Sequence, residues 1–197
     1  MQYVVRYPDG FSSDGKYPLI ICLHGAGGRE GTIEQVKGHT NFTLTEDFCL
    51  PAIMVSPHCT ADTWFEIFEQ LIEFVRYLCS LPTVDPDRVY LMGGSMGGYT
   101  AWQLAMTMPE CFAALVPICG GGMYWNAGRL KNVPVWAFHG IEDTTVLPEE
   151  SIKMVNAVNK RGGSARLTLL CGVAHNSWLN AYGSREVFDW MLSQKRS

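Results

Sequence analysis

Between Val89 and Met108 the chain runs from an apolar, β-prone stretch, Val89-Tyr90-Leu91-Met92, through Gly93-Gly94-Ser95-Met96-Gly97-Gly98 into a helix-like segment, Tyr99 to Met108. A strand that turns into a helix over a single serine leaves the backbone few options. A serine at positive φ brings the backbone before it against the backbone after it, and glycines at 93 and 97 remove side chains that would collide. Such a turn lifts the Ser95 hydroxyl off the sheet edge. It also points the first helical amides, beginning with Met96, at any negative charge that gathers beside that oxygen. Ala101, Trp102, Leu104, Ala105 and Met108 supply a buried helix face, and Pro109 stops the helix. The pattern is that of a nucleophile-bearing turn; the plainer alternative is a glycine-rich turn with an ordinary capping serine.

Around this turn, apolar runs alternate with helical ones. Tyr3 to Tyr7 suggests a short strand, Pro18 to Leu23 and Ala52 to Ser56 read as strands buried on both faces, and Thr63-Trp64-Phe65-Glu66 has capping-box spacing. The helix expected there puts Phe68, Leu71, Ile72, Val75 and Leu78 on one face. Pro82 to Arg88 reads as a turn. Further strands are expected at Ala113 to Ile118, Val133 to Phe138 and Arg166 to Cys171, with a helix from Pro148 to Gly162-Gly163 and a closing helix from Arg185 to Leu192. This alternation predicts a doubly wound, mostly parallel α/β sheet of about seven strands with helices on both faces. Only Met123 to Asn132 separate two of those strands, which leaves no room for a cap domain and predicts an open site.

A chain of 197 residues, 47% hydrophobic and 17% charged, supports one core, so residues 1–197 are read as a single domain. A net charge of −4 without a Lys/Arg cluster argues against nucleic acid or an anionic membrane as partner. No apolar run approaches the roughly eighteen residues of a membrane span. The start, Met1 to Arg6, lacks the layout of a signal peptide, so a cytoplasmic protein is expected. Seven cysteines without a Cys-x-x-Cys pair imply neither a disulfide framework nor a zinc site.

A serine hydroxyl is a poor nucleophile at neutral pH and needs a base within hydrogen-bond reach and an acid to orient that base. Loops at the carboxyl ends of parallel strands are where such groups meet. His175 lies in a loop of that kind after a later strand than Ser95. Of the other four histidines, His24 and His139 precede glycines at strand ends, where they tend to hold loops together, and His39 and His58 lie upstream of Ser95. For the acid, Asp143 competes with Glu142; Asp143 lies deeper in its loop and carries the shorter carboxylate.

On these residues the sequence resembles the α/β-hydrolase superfamily, and within it the compact carboxylesterase and predicted-peptidase group related to dienelactone hydrolases and feruloyl or acetyl esterases. The resemblance rests on Leu23-His24-Gly25-Ala26-Gly27-Gly28, Ser56-Pro57-His58-Cys59 before Trp64, Asp85 to Leu91 leading into Gly94-Ser95-Met96-Gly97-Gly98, Phe138-His139-Gly140 with Asp143, and Gly172-Val173-Ala174-His175. It implies Ser95 as nucleophile, Asp143 as orienting acid and His175 as base, with the oxyanion held by the amides of Ala26 and Met96. No metal or organic cofactor is implied. Members usually begin with further antiparallel edge strands, so the edge near Tyr3 to Tyr7 is expected to be exposed or paired with a second subunit in a homodimer.

The expected activity is hydrolysis of carboxylic esters of short-chain or aromatic acids, with a small-molecule or carbohydrate-linked ester as substrate. A peptidase with the same triad and a non-catalytic ligand-binding protein of the same fold are the alternatives. Trp64, Tyr124, Trp125 and Trp178 fall in or beside loops expected at the rim, where flat rings could stack on a phenolic acyl group or a sugar, or simply pack the loops.

Overall fold

Continuous apolar runs bury both faces of a strand, and this chain uses them to build a seven-stranded sheet. The computed structural model describes residues 1–40 and 42–196. In chain order its strands are β1 (Tyr3–Arg6), β2 (Tyr17–Leu23), β3 (Ile53–Pro57), β4 (Val84–Gly94), β5 (Ala114–Ile118), β6 (Val135–Gly140) and β7 (Ala165–Leu170). They lie side by side as β1-β3-β2-β4-β5-β6-β7. Only β1 runs antiparallel, against β3, and all the other neighbours are parallel. The α/β-hydrolase fold expected from the sequence is the fold observed.

The helices are α1 (Ile33–Val36), α2 (Phe68–Ser80), α3 (Met96–Thr107), α4 (Glu149–Lys160), α5 (Trp178–Tyr182) and α6 (Arg185–Ser193). Successive strand residues point to opposite faces. Leu19, Ile21, Leu23 and Leu91 therefore pack with α2, α3 and α4, while Ile20, Cys22, Tyr90 and Met92 pack with α1 and α6. On α2 the buried residues are Leu71, Ile72, Phe74, Val75 and Leu78, with Phe68 only half-buried. Each such side chain contributes roughly 1.5–3 kcal/mol on full burial, which is what holds the helix to the sheet. No helix among the described residues is long and apolar enough to cross a membrane.

Two boundaries and one added helix differ from the sequence reading. Residues Pro82 to Arg88 are not only a turn, because β4 already begins at Val84. Tyr17 pairs with Val84 and Leu19 with Val89, so the intervening residues form an irregularity within the strand pair. Asp85 closes it, accepting from the Asp87 amide at 3.1 Å and from Arg88 Nε at 2.7 Å. Glu66 does reach back to Thr63, with Oε1 3.1 Å from its amide, but the helix starts only at Phe68. The short α5 carries no strong sequence signal and exists because Ala181 and Tyr182 are buried against the sheet. Along β1 the outer edge has no strand neighbour among the described residues.

Candidate active site

Four loops at the carboxyl ends of β2, β4, β6 and β7 meet above the sheet. Ser95, directly after β4, has φ 56° and ψ −119°, a left-handed conformation that costs a non-glycine residue on the order of 1–3 kcal/mol. Two close approaches hold it there. A Cβ on Gly93 would strike the carbonyl oxygen of Gly97, and one on Gly97 would strike the carbonyl oxygen of Leu23 at the end of β2. Neither position admits a side chain while β4, α3 and β2 keep this packing.

The strained turn aims the Ser95 hydroxyl at an imidazole. Ser95 Oγ is 2.8 Å from His175 Nε2, and His175 Nδ1 is 2.7 Å from Asp143 Oδ2. The other carboxylate oxygen, Oδ1, accepts from the amides of Thr145 at 2.9 Å and Val146 at 3.0 Å. Burial alone would raise the Asp143 carboxyl, but the hydrogen bond from His175 and those from the Val146 and Thr145 amides outweigh it and hold the group below its ordinary value. Asp143 thus stays ionised while fully enclosed. Glu142, the competing acid, is exposed and makes no such contact.

Across from Ser95 lies the 3-10 turn Ala26–Gly28, which follows β2. Gly25 lets it come close: a Cβ there would sit 3.2 Å from the Gly94 carbonyl oxygen and 3.3 Å from Ser95 Cβ. Ala26 and Met96 each open a helical turn, so their amides have no acceptor within it. His24 anchors the base of the loop. Its Nε2 accepts from the Cys59 amide at 3.0 Å, its Nδ1 donates to the Gly25 carbonyl at 2.7 Å, and burial pushes its pKa down to about 4, so the ring is neutral.

These groups line a cavity of about 440 Å³ whose walls include Ala26, Gly27, His39, Thr145 and Trp178. Trp178 meets the His175 ring edge-on at 5.4 Å, so of the four aromatic residues expected at the rim it does stand there. Trp64 does not. It is fully buried, donates from Nε1 to the His24 carbonyl at 3.0 Å and packs on the His24 ring, because the loop before α2 folds inward under the Ala26 turn. Tyr124 and Trp125 are exposed and stack edge-to-face with each other at 5.2 Å, outside this cavity. Their segment is drawn away toward α4, whose following residue Arg161 bonds the Trp125 carbonyl.

His39 and Thr145 were not anticipated in the cavity wall. His39 reaches it because the long segment between β2 and β3 folds back, setting its ring against Gly27, a tertiary effect that leaves no local sequence pattern. Among the described residues one set of three potential metal donors occurs, in which single donor atoms of Cys119, Asp143 and His175 lie within 4.8 Å of one another. The carboxylate and imidazole are already bonded to each other, and burial pushes the Cys119 thiol up to about 12, which keeps it protonated. That donor set suits proton transfer better than a cation.

Comparison with known proteins agrees with the fold. The prolyl oligopeptidase family matches residues 61–127. Feruloyl esterase B of Piromyces equi is 27% identical over 172 residues, 77% of this chain and 31% of that protein. A probable feruloyl esterase C of Aspergillus terreus is 25% identical over 173 residues, 82% of this chain and 62% of that one. Among solved structures, a thermostable esterase superposes with a TM-score of 0.88 at 32% identity, covering 98% of this chain and 59% of its own. The chain therefore spans less than two thirds of these relatives' length. Its sheet order, its strained serine turn and these likenesses show that the chain has the α/β-hydrolase fold, and the proteins it resembles include esterases.

Proposed function

We propose that this serine hydrolase cleaves carboxylic esters of short-chain or aromatic acids through an acyl-enzyme on Ser95. The observation that carries the reading is the unbroken line of hydrogen bonds from Ser95 Oγ through His175 to Asp143, opening into the cavity beside Ala26. In this mechanism His175 Nε2 takes the hydroxyl proton as Ser95 Oγ attacks the ester carbonyl, and Asp143 holds the imidazole in the tautomer that leaves Nε2 free to accept. The amides of Ala26 and Met96 receive the negative charge that develops on the carbonyl oxygen. His175 then returns the proton to the departing alcohol. Water, deprotonated by the same nitrogen, cleaves the acyl-enzyme and restores Ser95.

The Trp178 indole in the cavity wall supports a flat acyl group, since a ring can stack on it. The feruloyl esterases among the relatives support the aromatic choice. Likeness to the prolyl oligopeptidase family supports a second reading, cleavage of small peptides or amides by the same three residues. A panel of p-nitrophenyl esters against matching p-nitroanilides separates the two. Ester turnover that exceeds anilide turnover by orders of magnitude is expected, and comparable rates would favour the peptidase.

A further inference from the structure

Asp143 has a second imidazole on it. His139, fully buried near the end of β6, places Nε2 2.9 Å from the Val146 carbonyl oxygen and 3.3 Å from Asp143 Oδ2, the same oxygen that holds His175. The Val146 carbonyl oxygen can only accept, so Nε2 carries a proton and donates it there, while the ring lies close against the Asp143 carboxylate. Ser151, buried on α4, donates its hydroxyl proton to the Gly120 carbonyl oxygen at 2.9 Å, and its Oγ lies 2.7 Å from His139 Nδ1, which fixes the plane of the ring.

We propose that His139, held by Ser151, is a positioning residue for the acid of the triad and acts through Val146. Asp143 Oδ1 takes the Thr145 and Val146 amides, Oδ2 takes His175, and the His139 ring packs against Oδ2 at 3.3 Å. The Asp143 side chain cannot rotate without breaking a contact at each corner. Val146 closes the arrangement by donating its amide to Oδ1 while its carbonyl receives the His139 proton. A histidine that only filled space would need neither a ring nitrogen bonded to the Val146 carbonyl nor a buried hydroxyl against the other nitrogen.

The inference rests on the reading of Ser95, His175 and Asp143 as a working triad, and the test keeps the two apart. The readout is the maximal inactivation rate kinact and the half-saturation constant KI for a fluorophosphonate reacting at Ser95, measured on the full chain. In His139→Gln the amide nitrogen reaches toward the Nε2 position, whereas in His139→Asn it stops near Nδ1. His139→Asn should lower kinact about tenfold or more with KI within about twofold, and His139→Gln should recover at least about a third of the parent rate. Ser151→Ala should lower kinact about threefold by loosening the ring that holds Val146. Should His139→Asn not fold, Ser151→Ala alone decides, and an unchanged kinact in it overturns the proposal. Equal kinact values for His139→Asn and His139→Gln also overturn it. A parent protein that takes no label at Ser95 overturns the triad reading itself, while a labelled parent with unaffected variants removes only the role of His139.

Discussion

The amide of Cys59 donates to His24 Nε2 at 3.0 Å, across the loop that presents the Ala26 amide, and the arrangement works only with a neutral ring. Burial lowers the His24 pKa to about 4, against about 6.5 in the unfolded chain. Between those values the unfolded state binds a proton that the folded state refuses, so stability falls as pH drops from about 6.5 to about 4, by on the order of 3 kcal/mol. Asp143, held below its ordinary value, adds its own loss only at lower pH, as its carboxylate is protonated. Chemical denaturation at pH 7, 5.5 and 4 should show the decline, and His24→Gln should flatten it. A folded protein equally stable at pH 7 and 4 would contradict this account of the loop.

The two adjacent carboxylates after β6 should differ sharply in their effect on turnover. Asp143 is buried against His175 while Glu142 faces solvent. Asp143→Asn is expected to lower kcat by roughly a thousandfold or more, because the amide stabilises the wrong imidazole tautomer. Glu142→Gln should leave kcat within about twofold, as for a surface site. Steady-state rates on p-nitrophenyl acetate measure both, and a greater loss in the Glu142 variant would reassign the acid.

Trp178 and Trp125 provide a matched pair of indoles, one in the cavity wall and one outside it. If stacking on Trp178 selects aromatic acyl groups, Trp178→Ala should reduce kcat/KM for a feruloyl ester about tenfold more than for an acetyl ester. Trp125→Ala should change the two substrates equally. If the site lacks a lid, as the short Met123 to Asn132 connection leads one to expect, few methylenes are desolvated at roughly 0.8 kcal/mol each, and acetyl and butyryl esters should also outrun long-chain ones. Equal sensitivity of both substrates to Trp178→Ala would leave that ring as loop packing alone.

What the sequence made legible follows from how local each signal is. Buried parallel strands read as apolar runs, so β2, β3 and β5 were found within a residue or two, and the three loops that follow strands carried Ser95, Asp143 and His175 toward one another by topology alone. The glycines at 93 and 97 also read correctly as steric necessities, although the partner of Gly97 proved to be Leu23, on another strand. The misplacements are long-range. Whether Trp64 faces solvent depends on the loop after β2 closing over it, 40 residues away in sequence. The direction of Tyr124 and Trp125 depends on Arg161, 36 residues from Trp125. His39 reached the cavity, and His139 the acid, through contacts that no periodicity encodes; the glycine after each strand-end histidine signalled a structural role without naming its partner.

The central claim is that Ser95 is the activated nucleophile, and covalent labelling tests it most directly. The protein is incubated with a fluorophosphonate, digested, and the modified residue located by mass spectrometry, with Ser95→Ala and His175→Ala treated in parallel. The expected result is a single adduct on Ser95, absent from Ser95→Ala at an unchanged melting temperature and formed thousands of times more slowly, roughly, in His175→Ala. An adduct at another residue, or a Ser95→Ala protein that still hydrolyses p-nitrophenyl acetate at the parent rate, would contradict the account.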